Sequence, residues 1–215
     1  MQKIGVLAAM SMEAGCLIKR IENAKPENRA GKKFLRGKIG GAEVVLHRCG
    51  WGMRNADKGV RALVENYQPD VIINYGVSGG LIPEIGLGET VIAAACNHAN
   101  TAQSNKTDEG LAAFAAARLP HAKMAPVATS VGLIVNKKRK TRVARKSGAV
   151  CIDMETYAAA NAANELGVPL LVIRCLSDTY EPASLLRFFK NGALAAEKAA
   201  ADTQAVIKAL AEGDA

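Results

Sequence analysis

Aromatic side chains make up only 4% of the 215 residues, with a single tryptophan at position 51. That scarcity leaves little for stacking nucleic-acid bases, so the net charge of +8 and the basic run KKRKTRVARK at 137 to 146 read as a solvated helix, and no nucleic-acid partner is expected. Cysteines are few and follow no pairing pattern: five, at 16, 49, 96, 151 and 175, an odd number without a CxxC pair, most of them inside apolar runs. Such thiols behave as small hydrophobes, which argues against a disulfide framework and against zinc. The three histidines, His47, His98 and His121, lack ligand spacing and read as surface or core residues; no metal and no organic cofactor is expected. No apolar stretch approaches the roughly 20 residues of a membrane span, and MQKIGVLAAM runs directly into a strand pattern instead of a basic leader. The expectation is a cytoplasmic protein with no membrane span.

What is present is a 49% hydrophobic chain, enough for one sizeable core, and a single domain over 1–215 is expected. Strand and helix patterns alternate along it. KIGVLAA (3 to 9) reads as a strand, followed by helical spacing in MEAGCLIKRI. KKFLRGKI and AEVVLHRCG (32 to 50) form a hairpin around Gly40-Gly41, and MRNADKGVRALVEN (53 to 66) is a helix. DVIINYG (70 to 76) is a buried strand ending in a glycine turn, VSGG, and ETVIAAAC (89 to 96) is another strand. NHANTAQSNKT (97 to 107) is polar and aperiodic, a loop or mobile lid. Beyond it come a helix in EGLAAFAAARL, a strand in MAPVATSVGLIV, the basic helix, a strand in GAVCIDM (148 to 154), a helix in ETYAAANAANEL, a strand in LLVIRCL (170 to 176) and a long alanine-rich helix over 183 to 211. The alternation predicts an α/β fold: a three-layer sandwich with a mixed central sheet between helices.

Ligands in such folds gather outside the carboxyl ends of strands. That rule selects Met10-Ser11-Met12-Glu13 after the first strand, Val77-Ser78-Gly79-Gly80 after 70 to 76, Asp153-Met154-Glu155 after 148 to 152, and Ser177-Asp178 after 170 to 176. Each carboxylate also has a plainer reading, as a helix N-cap or a first-turn acid facing the helix dipole. Arg174, a charged residue inside an apolar strand, needs a carboxylate partner.

In order and spacing, AAMSMEA, PDVIINYGVSGGL, CIDMETYAAA and VIRCLSDTYE resemble the nucleoside phosphorylase and nucleosidase superfamily over about residues 3 to 212. Within it the likeness is greatest to the 5'-methylthioadenosine/S-adenosylhomocysteine nucleosidases, with the adenosylhopane nucleosidase and futalosine hydrolase branches as relatives. The resemblance implies the nucleoside phosphorylase-like fold and cleavage of an N-ribosidic bond. It implies that Asp178 is the acid at N7 of the departing purine, with Ser177 beside it; that Glu155 grips the ribose hydroxyls, with Met154 packed on the sugar; and that Glu13 activates water, helped by Arg174. Holding a proton near neutral pH asks for a raised carboxyl pKa, which burial provides.

Two positions bear on the nucleophile. The phosphorylase branch usually has an arginine where this chain has Asn74, and Val77 replaces the serine or threonine that binds phosphate or water. Both losses favour water. In SVGLIVNK (130 to 137) the aromatic residue that stacks on adenine is absent, leaving Leu133, Ile134 and Val135 to pack on the base. A phosphorylase and a non-catalytic nucleoside-binding protein remain the alternatives. The resemblance also implies a homodimer, with Trp51 at a glycine-flanked turn a candidate contact.

Overall fold

The computed structural model describes residues 2–181 and 185–213, without the side chains of 185–189. Three parallel strands organise it: β1 (Lys3–Ala8), β5 (Val71–Gly80) and β10 (Leu170–Asp178), with Val6 opposite Ile73 and Ile73 opposite Leu171. Successive side chains on a strand face opposite ways. Ile4, Val6, Ile73, Leu171 and Ile173 therefore pack with α1 (Ser11–Ile18) and α6 (Leu185–Ala211) on one face. Leu7, Ile72, Leu170 and Val172 pack with α2 (Met53–Tyr67) and α5 (Thr156–Leu166) on the other.

β4 (Ala42–Arg48) pairs with β1 in parallel, and β3 (Lys32–Ile39) and β2 (Glu22–Arg29) extend the sheet antiparallel. Gly40 and Gly41 both take positive φ in the β3–β4 turn, the conformation the glycine pair supplies. β2 was not foreseen from the sequence. Its residues, ENAKPENR, are almost all exposed and polar, so no alternation marks it; it exists because β3 offers an edge, and its lysine and proline blunt the new edge in turn.

The other half corrects the expected sandwich. β10 pairs with β6 (Thr90–His98), β6 with β8 (Lys123–Thr129), β8 with β9 (Cys151–Asp153), and β9 with the end of β5; the β5–β10 pairing then closes a five-stranded ring. The sheet is a closed barrel with an open wing, not a flat middle layer. Closure follows from the length of β5. Residues 71–74 pair with β1, whereas Gly79 and Gly80 pair with β9, and a register shift between Leu176 and Asp178 bends β10 alongside. VSGG, expected as a turn, is thus the last stretch of β5.

Residues 97 to 107 are not a free loop either. β7 (Ser104–Lys106) folds back on β6, and Ser104 Oγ donates to Asn97 Oδ1 at 2.6 Å. The remaining helices are α3 (Glu109–Arg118) and the basic α4 (Lys137–Ser147). Residues 183 and 184 of the expected C-terminal helix lie outside the described residues. All five thiols are free, and no helix among the described residues is long and apolar enough to cross a membrane. His47 stacks on Phe34, His98 meets Tyr157 edge-on, and His121 reaches Asp202.

Because β1, β5 and β10 are parallel, their carboxyl ends open on the same side. β9 is antiparallel to β5, so Asp153, Met154 and Glu155 are carried back toward that opening.

Candidate active site

An open cavity of about 810 Å³, counting the solvent at its mouth, occupies this end of the sheet. Of the residues singled out in the sequence, Glu13, Val77, Ile134, Met154, Glu155 and Asp178 line it. Arg174 and Ser177 do not. Trp51, Leu133 and Val135, each about half exposed, form an apolar rim.

Glu13 sits in the first turn of α1 and is 3% exposed. Its Oε2 accepts the backbone N–H of Ala9 (3.0 Å) and Met10 (2.8 Å), and its Oε1 accepts that of Val77 (2.9 Å). The carboxylate can approach β5 this closely because residue 76 is glycine: a Cβ there would collide with Glu13 Oε1. The same device recurs three residues on along β5, where a Cβ on Gly79 would stand 2.9 Å from Asp178 Oδ1. The glycines of GVSGG thus clear space for two acids. Burial pushes Glu13 above the ordinary glutamate range, opposed by the N–H donors of Met10 and Val77 and the charge of Arg174.

Glu155 stands at the N-cap of α5 but does not cap it. Asp153 takes that role, accepting the N–H of Thr156 at 3.2 Å and its hydroxyl. Glu155 is left to accept the N–H of Gly52 at 2.6 Å and of Met154 at 3.1 Å while facing the cavity. Burial, then repulsion from Asp153, push its carboxyl up to about 7.

Arg174 is the partner Asp153 requires, and every N–H it owns is committed. Nε donates to Asp153 Oδ2 (2.8 Å), Nη1 to the carbonyls of Asn74 and Ile173 (3.1 Å each), and Nη2 to Asn74 Oδ1 (2.5 Å) and Thr156 Oγ1 (2.8 Å). A guanidinium has five donors, so none remains to hold a water or a phosphate. Arg174, expected to help Glu13 activate water, lies outside the cavity lining and braces Asp153 from behind. Ser177 also stays outside the cavity lining: it is fully buried and its Oγ donates to the Ser78 carbonyl at 3.2 Å, joining β10 to β5.

Asp178, at the tip of β10, is pushed above the ordinary aspartate range by burial, against the pull of Lys140. Lys140 belongs to the basic run read as solvated. It is 1% exposed, and its Nζ donates to Asp178 Oδ1 at 3.0 Å and to the Thr179 carbonyl at 2.6 Å. A helical period would have flagged it, because Lys140, Val143, Ala144 and Ser147 fall on one face of α4.

Buried carboxylates around an apolar-walled space can hold and move protons and stabilise a cation. The family model of the phosphorylase superfamily matches residues 3–212. The chain belongs to the phosphorylase superfamily. Similar superfamily members include the 5'-methylthioadenosine/S-adenosylhomocysteine nucleosidase of Shewanella halifaxensis, 32% identical over 82% of this chain and 86% of that one. The nucleosidase of the same name from S. pneumoniae, solved with a transition-state inhibitor, superposes with a TM-score of 0.91 at 26% identity, covering 97% of this chain and 99% of its own. A futalosine hydrolase of Helicobacter pylori, 19% identical with a TM-score of 0.90 over 96% of this chain and 97% of its own, shares the fold.

Two outcomes follow for this phosphorylase-superfamily site. Arg174→Met strands Asp153 without its counter-charge, and urea denaturation should show a loss of about 3–5 kcal/mol; an unchanged midpoint would contradict the brace. Glu155, unfolded, loses its proton near 4.5, whereas the folded group keeps it to about 7. Between those values the native state binds more protons, so this group's penalty grows as pH rises and is complete above 7. Wild type should lose about 1–3 kcal/mol relative to Glu155→Gln across that window, and parallel stability profiles would refute it.

Proposed function

We propose that the chain is a nucleosidase that hydrolyses the N-ribosidic bond of a 5'-substituted adenosine to free adenine and the ribose derivative. The observation that carries the reading is the convergence of Glu13, Glu155 and Asp178, from three different strand ends, on one cavity. The relatives named above, nucleosidases for methylthioadenosine and adenosylhomocysteine, supply the substrate class. As the bond breaks, the ribosyl group gains positive charge; Glu155, accepting hydrogen bonds from the ribose hydroxyls, offsets it with Met154 against the sugar. Asp178 gives its proton to the leaving base, which packs against Ile134 and Val77. Glu13, whose raised pKa makes it a stronger base, takes a proton from the attacking water. Arg174 keeps Asp153 neutralised so that Glu155 bears the site's useful charge. Ser177 fixes the strand that presents Asp178.

Hydrolysis is favoured over phosphorolysis by the charge of the walls. Among the described residues, the cavity lining carries four carboxylates, those of Glu13, Asp153, Glu155 and Asp178, and no basic side chain. A phosphate dianion would meet repulsion from those carboxylates. The apolar rim of Trp51, Leu133 and Val135 fits a 5' substituent that is a thioether or a longer apolar group. The reading includes a single domain, no metal or organic cofactor, and a homodimer in which a second copy covers that rim. Five free thiols suit the reducing cytoplasm.

Purine release from methylthioadenosine, adenosylhomocysteine, futalosine, inosine and an adenosyl-lipid, followed by chromatography, tests the reaction. Free base and free sugar should appear at the same rate with or without phosphate; release that requires phosphate would make it a phosphorylase, and binding without turnover a binding protein. Asp178→Asn should lower kcat by about 10²–10⁴ with the fold intact, and unchanged turnover would remove Asp178 from the mechanism. Light scattering at micromolar concentration should give twice the chain mass; a monomer would contradict the dimer.

A further inference from the structure

The proposed acid does not stand alone. α4 carries seven cationic side chains between 137 and 146, and six of them, Lys137, Lys138, Arg139, Arg142, Arg145 and Lys146, are exposed. Lys140 alone is turned in. Burying an ammonium costs several kcal/mol unless its charge and hydrogens are matched, so a lysine at 1% exposure calls for a reason. Its Nζ is matched by Asp178 Oδ1 at 3.0 Å and the carbonyl of Thr179 at 2.6 Å. Asp178 lines the cavity and Lys140 does not, so the cation reaches the reacting atoms only through that carboxyl.

We propose that Lys140 is the positioning residue of the leaving-group step: it stabilises the carboxylate that Asp178 becomes when it gives its proton to the base. This rests on the nucleosidase reading above. In that step the C–N bond breaks with its electron pair going to the base, the Asp178 proton moves to a base nitrogen, and the new carboxylate stays bonded to the ammonium. Water captures the ribosyl group and passes its proton to Glu13, so charge and atoms balance with no further reactant. An acid in a dry pocket without a cation would hold its proton tightly and transfer it poorly. Burial raises the pKa of Asp178 and Lys140 lowers it, so the ammonium eases release of the proton that burial favours.

Among the described residues, the other charges around the pair do not duplicate this role. Glu13, Asp153 and Glu155 line the same cavity and would disfavour the carboxylate. Arg174 is spent on Asp153, and Lys137 is paired with Glu181 at the surface, 2.6 Å apart. Thr141, one residue on, bonds the Tyr180 hydroxyl at 2.7 Å, so α4 is held against the segment after β10 even without the Lys140 charge.

The test compares wild type, Lys140→Met and Lys140→Arg on two leaving groups: adenine from methylthioadenosine, which needs protonation, and nitrophenolate from a nitrophenyl riboside, which does not. Lys140→Met should lose about 10–100-fold in kcat on the first and less than about threefold on the second. Its alkaline limb of kcat/KM should move to higher pH, because removing a positive charge raises the pKa of the acid; Lys140→Arg should keep the limb in place. Equal losses on both substrates with an unmoved limb would reduce Lys140 to a tether and overturn the proposal. Should Lys140→Met fail to fold, Lys140→Gln, of similar length and able to bond the Thr179 carbonyl without the charge, is the variant read. A wild type that turns over no nucleoside would instead sink the nucleosidase reading, and the proposal with it.

Discussion

A guanidinium removed from water sets the terms for the rest of this molecule. Arg174 lies at the centre of the sheet, and its desolvation is tolerable only because each N–H has a partner. Those partners come from β5, β9, β10 and the start of α5, so satisfying one ion fixes four elements. The short strand β9 has little pairing of its own and is held where Asp153 must be. With Asp153 occupied by the arginine and the helix cap, Glu155 is the carboxylate left to look into the cavity.

A pattern connects the two ends of the site. Glu13 and Glu155 have Arg174 one layer behind them, and Asp178 has Lys140. Neither cation reaches the cavity surface. Negative charge is therefore offset without a basic group competing for a substrate's hydroxyls or attracting an anionic nucleophile, an arrangement suited to a sugar that becomes positive as it reacts.

Much of this was legible in the residues. Parallel, doubly buried strands read as apolar runs, and the carboxyl-end rule led to Glu13, Glu155 and Asp178 because their position depends only on where a strand stops. Arg174 announced itself by being out of place. What stayed hidden depends on partners distant in sequence. β2 has no pattern except the edge it pairs with, β7 is three residues in a polar stretch, and the ring closes through a register shift that no local signal encodes. Ser177 looked like a lining residue since adjacent side chains at a strand end cannot be told apart until the sheet assigns each to a face. Lys140 was lost among its neighbours because a basic run reads as a solvated face until its helical period is drawn.

The bare glycines of β5 let Glu13 and Asp178 pack against peptide groups, which limits the solvent around them. Mobile ions screen charges they can surround, over about 8 Å at physiological ionic strength, and they cannot surround these. The exposed cations of α4, among them Lys138, Arg142, Arg145 and Lys146, are open to such screening. Ionic strength should accordingly alter how fast a charged molecule arrives at this protein while leaving the acidities inside the cavity nearly constant: the surface feels the composition of the medium, and the interior carries its own.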